Sequence, residues 1–424
     1  MNYELKRSPW SWIPTLYMAE ALPYVAVMTI STIMYKRLGV SNTDIALYTG
    51  WLYLPWVIKP FWSPFVDLMK TKRWWTVTMQ FVIAVGLACI ALALPTSMFF
   101  RLTLAAFWLV AFTSATHDIA ADGYYMHALD DHQQSFYVGI RSTFYRIATV
   151  AGQGLLVILA GWLETTTGNI PLAWMVTFGT MSALFLLASL YHGFILPRPA
   201  SDHAAADVTP STILREFGET FRTFFTKKHA LVAILFMLLY RLPEAQLVKL
   251  INPFMLDPVD KGGLGLTTAD VGFVYGTVGI IGLTIGGILG GIAAARGGLK
   301  RWLWPMVCAI TLPDLVYVYL SYAQPESLGI VNVCIFIEQF GYGFGFTAYM
   351  LYLIYFSEGE HKTAHYAICT GFMALGMMLP GMMAGWLQET IGYQHFFLWT
   401  IVCCAATFIV CAFLKIDPEF GKKK

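Results

Sequence analysis

About twelve apolar runs of roughly twenty residues recur along this 424-residue chain, from 10–35 near its start to 396–414 near its end. Each is long enough to cross about 30 Å of hydrocarbon as a helix. Gly, Pro or charged residues mark the gaps. No water in hydrocarbon can satisfy a stray N–H or C=O, so runs of this length must close their own backbone hydrogen bonds as helices. Composition agrees: 57% of residues are hydrophobic and 12% charged, against roughly 25% charged in soluble domains. An all-α integral membrane protein with twelve transmembrane helices is expected.

Glu4, Lys6 and Arg7 lead directly into the first run without a small-residue cleavage site, so that run reads as a retained span. An even number of spans puts both termini on one side. On that side fall Lys70, Lys72 and Arg73, then Arg198, Arg215, Arg222, Lys227 and Lys228, then Arg296, Lys300 and Arg301, Lys362, and the tail 422–424. The other side has little beyond Lys36, Arg37 and Lys261, which makes both termini cytoplasmic by the positive-inside rule. Between the sixth and seventh runs, 197–210 is a Pro-, Ala- and Asp-rich linker. The stretch 211–226 then alternates Phe217, Phe221 and Phe224 with Arg215, Glu219 and Arg222, which predicts an amphipathic helix on the cytoplasmic face capped by Ser211. Six spans, a linker and six spans is the layout of a major facilitator carrier. The expected division is two six-helix bundles, 1–196 and 229–424, joined by a cytoplasmic linker over 197–228.

The fourth run, 99–129, contains T-H-D-I-A-A-D-G-Y-Y from Thr116. Ionisable groups inside a span are costly and mark a substrate or proton path by default. Asp118 and Asp122 are four apart and share a helix face, with His117 beside the first. Like charge and desolvation both favour protonating one acid of such a pair, as a proton-coupled carrier requires; the plainer alternative is that Asp122 pairs with a nearby Arg. The fifth run brings Arg141 and Arg146. Arg141 suits a gating pair, and Arg146 a carboxylate partner or an anionic substrate. Glu20 precedes Pro23 and Lys59 precedes Pro60, so both are candidate cavity residues at bendable points. Arg241 and Glu244, with Lys249, lie on the seventh run, where the first two, three apart, can neutralise each other. Glu338 on the tenth run has no local partner and is a second candidate proton site, a cross-helix hydrogen bond being the alternative.

Tyr124, Tyr125, Tyr342, Tyr349, Tyr352 and Tyr355 accompany these acids, suited either to sugar rings or to helix packing. Gly276, Gly279, Gly282, Gly286, Gly287, Gly290 and Gly291 form a ridge on the eighth run that fits a tightly pressed helix. Seven cysteines sit in apolar runs without a C-x-x-C pair, so buried thiols are expected, with no disulfide frame, metal site or cofactor. H-E-x-x-H, G-x-S-x-G and G-x-x-x-x-G-K-[ST] are absent, and no enzyme activity is expected. A net charge of +2 says little about partners; none is expected to be a nucleic acid.

Taken together the residues resemble the muropeptide permease (AmpG) family of the major facilitator superfamily, from about Ala19 to Phe397. The most specific pieces are A-L-P after Glu20, K-P-F-W-S-P-F-V-D from Lys59, T-S-A-T-H-D-I-A-A-D from Thr113, Y-R-I-A-T-V-A-G-Q-G from Tyr145, L-Y-R-L-P-E-A from Leu239, F-I-E-Q-F-G-Y-G from Phe336 and P-G-M-M-A-G-W from Pro380. The resemblance implies proton-driven import, across the bacterial inner membrane, of disaccharides of N-acetylglucosamine and anhydro-N-acetylmuramic acid with or without a peptide. By position Lys59, Asp118, Asp122, Arg146 and Glu338 match the family's buried polar pattern, with Arg241 and Glu244 as its seventh-span pair. Asp67 stands in the cytoplasmic hairpin motif, where it would hold a closed gate through Arg141 or a neighbouring backbone. The chain departs from the pattern at His117, Tyr125 and His127, where the family has Gln, Lys and Asp; the lost cation and added imidazoles alter how an anion or proton is handled.

The expectation is therefore a monomeric carrier of amino-sugar wall fragments and protons that works by alternating access. Asp118, Asp122 and Glu338 would carry the proton. Lys59 and Arg146 would hold the carboxylate, His117, Tyr125, Glu20, Arg241 and Glu244 would line the substrate path, and Asp67 and Arg141 would gate it. The rivals are another cargo (sugar, peptide, siderophore or an acetyl-coenzyme A-like solute) and a membrane sensor of wall fragments.

Overall fold

The computed structural model describes residues 7–129, 131–202, 210–359 and 362–420, which are helical with no strand among them. Helix α1 (Pro9–Arg37) is followed by α2 (Asn42–Trp51), α3 (Leu54–Met69), α4 (Lys72–Ala93), α5 (Phe99–Ala128) and α6 (Asp131–Val150, continuing through a π turn to Val157–Thr167). Then come α7 (Ile170–Ile195), α8 (Pro210–Phe225), α9 (Ala230–Leu239), α10 (Leu242–Leu256), α11 (Thr268–Gly297), α12 (Leu299–Ala323), α13 (Leu328–Ser357) and α14 (Lys362–Ala412). Among the described residues ten helical segments are long and apolar enough to span a membrane. The last of them turns at Gly392, whose φ of 76° lies in the left-handed region, so α14 holds two spans. The broken pair α2 and α3 escapes a length criterion yet covers one more, and the pattern is consistent with twelve.

Two prolines explain two interruptions. Pro55 has no N–H to offer the Trp51 carbonyl, and the second span turns at Leu52 and Tyr53 between α2 and α3. Pro243 likewise cannot serve Leu239, and the seventh span breaks at Tyr240 and Arg241. Pro23 acts more gently: α1 runs through it into a π turn at Ala26–Ile30.

The chain divides into two compact units, one of Met1–Met34 with Ile58–Pro210, the other of Tyr35–Val57 with Ser211–Lys424. In the first, α1 lies along α6, and α4 packs between α5 and α7. Its linker end is tied down: Asp202 accepts the Lys72 and Arg73 backbone N–H groups at 2.6 and 3.0 Å, capping α4. The Arg73 guanidinium in turn donates to the Leu196 and Gly193 carbonyls at the end of α7.

In the second unit α11 and α12 lie on α13, while α2, α9 and α10 lie on α14. The glycine ridge is what lets α11 approach: a Cβ on Gly282 would sit 2.8 Å from the Phe336 carbonyl oxygen, and one on Gly286 would collide with that of Phe340. Gly291, on another face, has open space. Helix α8 begins at Pro210, one residue ahead of the expected Ser211 cap, because proline suits the first helical turn. It docks by Phe224, which stacks on Phe372 at 6.1 Å and meets Phe356 edge-on at 5.4 Å. Just beyond, Lys227 caps α13 through the Phe356 and Glu358 carbonyls at 2.7 and 2.8 Å; partial burial holds its ammonium below the usual lysine range. One expectation for the thiols fails: Cys89 is exposed, because it lies on the outward face of α4.

The ridge geometry predicts that Gly286→Ala destabilises the protein by about 1–3 kcal/mol through overpacking. Gly291→Ala should leave stability unchanged. Thermal unfolding of the two variants in the same detergent checks both.

Candidate functional site

In the first unit the ionisable residues of α1, α3, α5 and α6 converge. Arg141 Nη1 donates to Asp122 Oδ1 at 3.0 Å and to the Tyr17 hydroxyl at 2.8 Å, and that hydroxyl donates to the same carboxylate oxygen at 3.2 Å. The guanidinium also lies over the Tyr17 and Tyr125 rings, 4.8 and 5.1 Å from their centroids. One turn back on α5, Asp118 faces Lys59 at 3.8 Å, a Coulombic pair too long for a hydrogen bond. The four-residue spacing expected to put both acids on one face does so, and each acid meets a different cation.

A cavity of about 220 Å³ opens beside these pairs, lined by Tyr17, Glu20, Arg141, Tyr145 and Arg146. Glu20 Oε2 is buried there with no hydrogen-bond partner among the described residues. Arg146 is exposed and makes no described hydrogen bond or ion pair. A fork of N–H donors without a carboxylate suits an incoming carboxylate or phosphate. The volume falls below the roughly 300 Å³ at which small-molecule pockets begin. Next to it, α1 and α6 each carry a π turn: a Cβ on Gly152 would lie 2.9 Å from Val25 Cγ1, and Gln153 donates to Thr29 Oγ1 at 3.2 Å. Such turns shift which side chains a helix aims inward.

Other expected residues lie elsewhere. His117 is fully buried and bonded to Gln80 Nε2 at 2.9 Å; Gln80 Oε1 meets His192 at 2.8 Å, and His192 meets Thr15 at 2.9 Å. This row ties α5, α4, α7 and α1 together, away from the cavity lining. The Asp67 side chain lies outside the described residues, and the partner that Arg141 shows is Asp122.

In the second unit Arg241 sits at the α9–α10 break. It donates to the Tyr342 hydroxyl and lies over the Tyr342 and Phe346 rings at 5.3 and 4.9 Å. No ion pair within 4.0 Å joins it to buried Glu244 among the described residues, and its described contacts are with Tyr342 and Phe346. Glu338 is buried, and its Oε2 accepts from the Tyr317 hydroxyl at 2.8 Å and from Gln339 at 2.9 Å, the cross-helix bond anticipated as its alternative role. Its Oε1 has no described partner. A second polar cluster ties the end of α1 and the start of α2 to the end of α10 and to α14: Lys36 pairs with Asp257 at 2.7 Å and donates to Asn42 at 2.8 Å. Asn42 donates to Gln388 at 2.7 Å and Tyr393 at 3.0 Å, and Tyr393 donates to Asp257 at 2.7 Å. Tyr17, Tyr145 and Asp257 were not singled out as site residues in the sequence. Tyr17 lies three residues before Glu20 on the same helix face, which was the available signal.

A family model described as Major Facilitator Superfamily matches residues 15–358. The chain belongs to that superfamily. This facilitator is similar to the putative transporter AmpG 4 of Rickettsia conorii, 26% identical over 415 residues covering 94% of this chain and 95% of the relative. It is also similar to the anhydromuropeptide permease of Escherichia coli, 25% identical over 94% of this chain and 76% of that one. Among solved structures, a variant of the nucleoside transporter NupG superposes with a TM-score of 0.73 at 14% identity, covering 95% of this chain and 99% of that one. A peptide-bound POT family transporter gives 0.72 at 11% identity, covering 95% of each. At such identities the structures show the fold alone; the superfamily match and the AmpG-named relatives make the chain a multi-pass membrane transporter.

Because Arg141, Asp122 and Tyr17 act as one unit, Arg141→Gln and Asp122→Asn should each destabilise the facilitator, and the double variant should lose less than their sum. The coupling expected for contacting charges is about 0.5–3 kcal/mol, moderated because the Asp122 side chain is 44% exposed. A double-mutant cycle on unfolding midpoints measures it; strict additivity would count against the triad.

Proposed function

We propose that this facilitator imports cell-wall-derived amino-sugar fragments, anhydro-muropeptides, across the bacterial inner membrane. It is driven by protons, works by alternating access as a monomer, and keeps both termini in the cytoplasm. The observation that carries the reading is Arg146, a cation without a carboxylate partner among the described residues, on the wall of a cavity that Glu20 and Arg141, the partner of Asp122, also line. The cargo class is supported by relatives named as AmpG transporters and an anhydromuropeptide permease, matched along 94% of the chain. The anhydro-disaccharide bears a lactyl carboxylate, or a peptide ending in one, which is the chemistry Arg146 selects.

The roles follow from which groups are held and which are free. Arg146, assisted by Lys59, grips the carboxylate; Lys59 is released when Asp118 is protonated, since a neutral acid no longer holds the ammonium. Protonating Asp122 likewise frees Arg141, so proton binding loosens the triad that joins α1, α5 and α6. Glu338 is a second candidate acid in the other unit. Arg241, Glu244 and the tyrosines supply hydrogen bonds and flat faces for sugar rings.

Uptake of radiolabelled N-acetylglucosaminyl-anhydro-N-acetylmuramic acid into proteoliposomes, with an inward proton gradient and with or without a protonophore, tests this. Protonophore-sensitive accumulation is expected. Asp122→Asn, at matched amounts of folded protein, should abolish concentrative uptake. Undiminished accumulation by that variant would defeat the proton assignment, and absence of uptake by the parent would redirect the search to other solutes.

A further inference from the structure

Lys249 is a buried cation that the roles above leave unused. It lies on α10 with 1% of its surface exposed, and its stem passes over Gly381 of α14, where a Cβ would come within 3.3 Å of Lys249 Cγ. Its ammonium donates to Thr49 Oγ1 at 3.0 Å and lies 5.3 Å from the centroid of the Tyr53 ring. The Thr49 hydroxyl spends its own proton on the Ile45 carbonyl at 2.6 Å, so it faces Lys249 purely as an acceptor. Three N–H donors therefore meet one described acceptor and one aromatic ring.

The acids of this unit are engaged elsewhere or out of range. Asp257 is taken by Lys36 and Tyr393, and Glu338 by Tyr317 and Gln339. Glu244, five residues earlier on α10, makes no ion pair within 4.0 Å of Lys249 among the described residues. One turn further on, Asn252 is buried with its Oδ1 unpartnered. A cation buried without a counterion is strongly destabilising unless an anion arrives or a substitute covers it. Here the substitutes, Thr49 and Tyr53, stand at the end of α2 and in the proline-induced turn after it, where the chain is least constrained by helical hydrogen bonds.

We propose that Lys249 is an anchor for the carboxylate of the transported solute, and that Thr49 and Tyr53 occupy its donors while no anion is bound. The inference rests on the reading of the solute as a carboxylate-bearing wall fragment. An ammonium-carboxylate bond in a dry site is stronger than an ammonium-hydroxyl bond, so the anion displaces Thr49 rather than adding to it.

Thermal stabilisation of the full-length protein in detergent, by N-acetylmuramate against its methyl ester and by lactate against lactamide, tests the anchor. The parent should be stabilised by the two carboxylates and not by their neutral counterparts. Lys249→Gln should need about tenfold or more carboxylate for the same shift, the equivalent of one charge-assisted bond. Lys249→Arg should keep the preference, and Thr49→Val, which removes the competing acceptor, should sharpen it. Carboxylates that stabilise Lys249→Gln as well as the parent would overturn the proposal, as would a parent that does not discriminate acid from ester. Carboxylate stabilisation that depends on Lys249 in a protein that transports no wall fragment would uphold the anchor while refuting the cargo.

Discussion

The ion pair of Arg141 with Asp122, closed by the Tyr17 hydroxyl, is the contact on which the rest of the first unit depends. A charge within hydrocarbon depth must be met by another polar group or by water. Here one guanidinium satisfies an acid of α5, a phenol of α1 and two aromatic faces at once. Three helices are thereby joined through a single side chain. Lys59 and Asp118 form a second cation–acid pair at 3.8 Å.

The second unit distributes its charges differently. Two of its acids lean on phenols and an amide: Glu338 on Tyr317 and Gln339 through one oxygen, Asp257 on Tyr393 as well as Lys36. Its internal cations, Arg241 and Lys249, rest on hydroxyls and rings. Unlike a salt bridge, a hydroxyl or ring contact yields to a carboxylate without stranding an opposite charge. The spans that bear or cover these cations are also the ones that Pro55 and Pro243 interrupt, so the weakest backbone lies next to the least compensated charge.

Much of the fold was legible because lipid leaves a chain so few choices. Length and apolarity alone located the spans, and a charge inside such a run stands out however the helix is rotated. The spacing of Asp118 and Asp122 located the acids, and the glycine spacing of α11 located the tight seam with α13. Long-range partners were not legible, since nothing local ties Arg141 to Tyr17 or His117 to Gln80, and the imidazole that looked like a cavity residue belongs to a packing row. The breaks at Leu52 and Tyr240 and the π turns at Ala26–Ile30 and Ala151–Leu156 were also missed, because a hydropathy run does not register a single displaced backbone bond.

The central claim is that solute binding is coupled to protonation of Asp118 and Asp122. Calorimetric titration of the purified transporter with the anhydro-disaccharide, in two buffers of different ionisation enthalpy at one pH, measures the protons exchanged on binding. The account predicts an apparent enthalpy that shifts between buffers in the parent, and a shift that shrinks when Asp118 and Asp122 are both replaced by Asn. An enthalpy identical in the two buffers, with binding intact, would contradict it.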